Sequence, residues 1–71
     1  MADSVYKIIE LVGTSPESWE KATENAISRA AGTLRDLRIA EVVKLDVHVE
    51  EGKVTLYRSR LALSFKYEDQ V

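Results

Sequence analysis

Val5-Tyr-Lys-Ile-Ile-Glu-Leu-Val-Gly-Thr-Ser-Pro16-Glu-Ser-Trp19 decides the fold. It joins an apolar run to a glycine, a helix-start pattern and the first turn of the only helical pattern in the chain. Val5, Ile9 and Leu11 share one parity with Lys7, and Tyr6, Ile8 and Val12 share the other with Glu10. A strand over Val5–Val12 is therefore apolar on both faces and calls for cover on both. The chain's own helix can supply one cover. The other has to come from a second subunit.

Gly13-Thr14 reads as the end of that strand. Ser15 before Pro16 reads as a helix N-cap followed by proline at the first helical position, where the missing N–H does no harm. The spacing predicts a helix over 16–31, with Glu17 and Glu20 favourable against the positive end of its dipole. Trp19, Ala22, Ala26 and Ala30, with Ile27 beside them, form an apolar stripe at three- and four-residue intervals. The alanines allow a close approach to a sheet, and Trp19 is expected to supply much of the bulk. Thr23 falls at the stripe's edge with its hydroxyl toward water, and Gly32 is the expected stop.

Beyond a short connection, 38–50 and 53–67 read as two long strands joined by Glu51-Gly52. A two-residue loop pairs Val49 with Val54, Val47 with Leu56 and Leu45 with Arg58. On that register the apolar surface changes face halfway along the hairpin. A bulge would shift the pairing by one residue and exchange the faces. The order strand, helix, strand, strand is an α+β pattern, simplest as a three-stranded sheet with the last strand central and antiparallel to both neighbours. Glu68–Val71 reads as a frayed tail.

The totals narrow the function. With 71 residues, the chain has room for a single domain, 1–71. A core this small is marginal unless stapled by disulfides, a metal or oligomerisation. There is no cysteine and one histidine, so self-association is the remaining common staple. Twelve acids against ten bases make a poor electrostatic match for nucleic acid. No apolar run approaches the roughly 20 residues of a membrane span, and Met1–Ser4 shows no signal-peptide pattern. The expectation is a soluble, cytoplasmic homo-oligomer with neither nucleic-acid nor membrane partners.

Several blocks together resemble the dodecin family: residues 5–15, the Ser18-Trp-Glu20 helix start, Ala-Ile-Ser-Arg-Ala at 26–30, Ile-Ala-Glu-Val-Val at 39–43 and Leu-Ser-Phe-Lys-Tyr at 63–67. The resemblance covers nearly the whole chain. It implies a β-α-β-β fold with an antiparallel sheet curled on one helix, twelve copies in a hollow shell, and storage or quenching of a bound flavin such as FMN without catalysis. In flavin-binding members a tryptophan stacks on the isoalloxazine and a glutamine bonds its edge. Those positions fall here at Ile39 and Arg58. Ile39 offers no aromatic plane, and Arg58 has donors but no acceptor. The chain is thus more similar to the tryptophan-lacking branch, for which calcium binding is described. The expected function is a shell that buffers a small ligand, a flavin held weakly or a metal such as calcium. The alternative is a self-assembling structure with no specific ligand.

The remaining candidates have plain structural explanations. Trp19 suits packing better than a ligand platform. Arg58 and Arg60, on one parity, suit an ion pair between subunits, with Glu41 as a partner, better than a phosphate or carboxylate site. Asp46, Glu50 and Glu51 offer oxygens to calcium but suit a solvated turn. His48 is a lone surface or interface histidine. Gly13-Thr14-Ser15 suits capping better than anion binding. No nucleophile motif accompanies the single histidine, so no enzyme is expected.

Overall fold

The computed structural model describes residues 4–67; Glu68–Val71 and most of the N-terminal Met1–Ser4 lie outside that range. Strand β1 (Tyr6–Ser15) leads to helix α1 (Trp19–Ala31), then β2 (Leu37–Glu50) and β3 (Lys53–Lys66). β3 is central and antiparallel to both neighbours, as expected. No helix among the described residues is long and apolar enough to cross a membrane.

β1 does not end at Gly13. It continues through Gly13, Thr14 and Ser15, which pair with Ser59, Arg58 and Tyr57. The glycine is needed for closeness rather than for a turn. A Cβ at Gly13 would lie 2.1 Å from the Ala22 carbonyl oxygen and 2.9 Å from the Ala26 Cβ. The longer strand also displaces the helix start. Ser15 is buried, and its Oγ accepts the Glu17 N–H at 3.0 Å. The N-cap is Ser18, with extended backbone and its Oγ accepting the Lys21 N–H at 3.0 Å. Pro16 and Glu17 therefore precede the helix. Gly32 does stop it, but in right-handed conformation, with φ −73°.

Ala26 and Ala30 are buried against Leu61 and Leu63, both 0% exposed, and Ala22, also buried, lies over Gly13. Ile9, Leu11, Ile27, Leu34, Leu37 and Ala40 pack around this centre. Each fully buried leucine contributes about 1.5–3 kcal/mol, so bulk comes from β3. Trp19 instead stands at the rim. Its ring meets Tyr57 edge-on, with centroids 5.1 Å apart, and its Nε1 donates to the Asp46 carbonyl at 3.0 Å. The Thr23 hydroxyl does not reach water as its bonded partner. It donates to the buried Ser59 Oγ at 2.8 Å.

Glu51 and Gly52 both take left-handed backbone, φ 51° and 77°, which matches the right-handed strand twist across a two-residue turn. Val49 pairs with Val54 as expected, but three irregularities then reset the register, between His48 and Val49, Val42 and Lys44, and Leu37 and Ile39. Val47 pairs with Tyr57 and Leu45 with Ser59, in place of Leu56 and Arg58. The expected change of face therefore does not occur. Directly opposed residues share a face, so Leu37, Ala40, Val42, Leu45 and Val47 join Phe65, Leu63, Leu61, Ser59 and Tyr57 on the helix side. The extra residue at Val43 keeps the apolar residues of β2 together.

One helix cannot cover this face. Thirteen helical residues span about 20 Å, whereas fourteen strand residues span roughly 45 Å. Val42 and Leu45, on the helix side, remain 47% exposed. β1 ends opposite Tyr57, so the hairpin continues as a two-stranded arm carrying exposed Val49 and Val54. Two strands alone are marginal in water.

Candidate functional site

The helix-free face of the sheet carries the residues that the sequence singled out. Register places them in four rungs across β1, β3 and β2: Thr14–Arg58–Asp46, Val12–Arg60–Lys44, Glu10–Ala62–Glu41 and Ile8–Ser64–Ile39. Ile39 and Arg58 thus share a face but occupy opposite ends of it. Six residue steps along β3 separate Arg58 from Ser64, the partner of Ile39, about 20 Å. Ile39 is 62% exposed, with a similarly exposed Ile8 across Ser64.

Arg58 is already paired within its own chain. Its Nε donates to Asp46 Oδ1 at 2.7 Å and its Nη2 to Asp46 Oδ2 at 3.1 Å. The guanidinium holds the Asp46 carboxyl below the usual carboxylate range, outweighing partial desolvation, with further help from Lys44 and Arg60. Asp46 returns the effect and raises the Arg58 pKa. Sequence counting missed this pair because an unbroken two-residue hairpin puts Leu45, not Asp46, opposite Arg58. The only available clue was chemical: a one-residue shift exchanges an apolar neighbour for an acid.

The acids near the hairpin turn do not assemble within one chain. Asp46 is committed to Arg58, and Glu50 lies 3.7 Å from the His48 Nε2. Among the described residues no three of histidine, cysteine, aspartate and glutamate converge on a metal-sized space. Gly13-Thr14-Ser15 is paired strand rather than a loop at a helix N-terminus, so its N–H groups do not form an anion cradle. The Thr14 carbonyl faces the helix and accepts from Asn25 Nδ2 at 3.1 Å. Beside it a groove of about 800 Å³ runs between β1 and α1, lined by Val12, Asn25 and Arg29 among others.

The geometry combines a curled three-stranded sheet, a small-residue helix seated on it, and an uncovered face and arm. The model of the dodecin family matches residues 5–68. The chain belongs to the dodecin family. It is 48% identical over 64 residues to the calcium dodecin of Mycobacterium tuberculosis, covering 89% of each chain. A dodecin from Streptomyces coelicolor superposes with TM-score 0.91 at 37% identity, covering 99% of this chain and 100% of that one. The solved calcium dodecin of M. tuberculosis, described as a calcium-chelating immunodominant antigen with a novel calcium-binding site, gives TM-score 0.82 at 43% identity over 96% and 97% of the two chains.

Proposed function

We propose that this dodecin is a non-enzymatic, cytoplasmic shell of identical single-domain subunits, twelve in the family's arrangement, that binds and buffers calcium and holds flavin weakly if at all. The observation that carries the reading is the state of the two flavin-contact positions. Ile39 presents an exposed aliphatic chain where a stacking plane is required. Arg58 has turned its guanidinium to Asp46 and has no lone pair for a flavin edge. Their separation of about 20 Å also means that a ligand touching both draws on two chains.

Likeness to a calcium dodecin supports the metal as the ligand. Calcium takes six to eight oxygens, more than any cluster among the described residues provides, so the proposed site joins acids or carbonyls of neighbouring subunits. Self-assembly is supported by the half-exposed Val42 and Leu45 and by the two-stranded arm.

Calorimetric titration of chelator-treated protein with calcium tests the proposal. Saturable heat with a fixed number of ions per subunit is expected, and added FMN keeps its fluorescence. An intact assembly without calcium heat would favour the purely structural oligomer. Strong FMN quenching would contradict the account of Ile39 and Arg58.

A further inference from the structure

We propose that Lys44 and Arg60 build an anion subsite on the helix-free face that takes the phosphate group of a small ligand. The two residues are direct cross-strand partners, and both are exposed. Like charges directly opposite on neighbouring strands are destabilising, so an unrelieved pair in the middle of a sheet needs a counter-charge. The nearest acid along β2 does not provide it. Both carboxylate oxygens of Asp46 are taken by Arg58. None of the ion pairs among the described residues includes Lys44 or Arg60. Glu10 and Glu41 stand one rung away, on either side of Ala62, and neither closes on the two cations.

Lys44, Arg58, Arg60 and Asp46 therefore carry a net charge of +2 within two adjacent rungs. The fields of Lys44 and Arg60 converge there, since both help to keep Asp46 ionised. An ammonium beside a guanidinium fork suits a phosphate dianion, because the fork takes two oxygens and the ammonium adds a point charge. On the β1 side, Val12 lies next to Arg60 and Thr14 next to Arg58. A hydroxyl and an apolar surface thus flank the cations where the rest of a phosphorylated ligand would lie. This subsite uses cations of the sheet centre and does not rest on the calcium reading.

Pyrophosphate is the probe, titrated calorimetrically into calcium-free, chelator-treated protein at low ionic strength, with solution mass measured in parallel. Wild type is expected to give saturable heat, and Lys44→Gln/Arg60→Gln to weaken binding about tenfold or more with the assembly unchanged. Without added anion, Lys44→Gln alone is expected to melt above wild type, because it removes the opposed charge, and pyrophosphate is expected to reverse that order. No saturable heat from wild type, or equal binding by the double variant, would overturn the proposal. Collapse of the double variant to a smaller species would do so as well, by assigning the cations to acids of a neighbouring copy.

Discussion

Arg58 and Asp46 face one another across β3 and β2, and the guanidinium engages both carboxylate oxygens, at 2.7 and 3.1 Å. This relationship occupies the Arg58 guanidinium and makes Asp46 a pH-dependent contributor. The Asp46 pKa is lower in the folded chain than unfolded. The pair's stabilisation is therefore complete above the ordinary aspartate range and is lost as pH falls through the lowered folded value. Urea midpoints of wild type and Asp46→Asn, at one protein concentration, should differ at neutral pH and converge in acid below that range. A gap unchanged down to the lowest pH would contradict the assignment.

Gly13 places the helix on the sheet. Gly13→Ala puts a methyl group 2.1 Å from a backbone carbonyl that cannot swing aside. Destabilisation of about 3 kcal/mol or more is expected, at or beyond the upper end of overpacking costs, read from denaturant unfolding. A loss below about 0.5 kcal/mol, the range of an ordinary surface change, would mean that α1 does not sit so close.

The bond between Thr23 and Ser59 is the polar seam of the core. Thr23→Val should cost about 1–3 kcal/mol by leaving the fully buried Ser59 hydroxyl without its partner. Adding Ser59→Ala should recover part of that loss, because the stranded group is removed too. The double-mutant cycle reads the coupling directly, and strict additivity would count against the bond.

Restoring the flavin contacts tests the ligand account from the other side. Ile39→Trp should tighten FMN quenching about two- to tenfold from stacking alone. Combining it with Arg58→Gln should strengthen quenching further, while exposing Asp46 to titration at ordinary pH values. Fluorescence titration of each variant checks this. No gain from either would mean that Ile39 does not occupy the stacking position.

Much of the architecture is legible in the sequence. The alanine stripe, the Glu51-Gly52 turn and the central place of the last strand all follow from local patterning. The failures share a cause, which is that tertiary contact set the geometry. Gly13 looks like a break, yet it is a strand residue made small by Ala22 and Ala26. Ser15 and Ser18 both suit an N-cap, and only the length of β1 selects the second. The bulge at Val43 leaves no mark in the alternation except that, without it, apolar residues would lie on opposite faces. The Asp46–Arg58 pair was hidden by that same register. Ile39 differs in kind: that it offers no aromatic plane is plain from the sequence, and the FMN titration tests its place at the stacking position.

Solution mass by light scattering at micromolar concentration tests the central claim most directly, that one chain is an incomplete unit of a shell. The account predicts a single species near twelve chain masses, with the Val42, Leu45 and hairpin-arm surfaces covered by neighbours. A stable, well-folded monomer would contradict it.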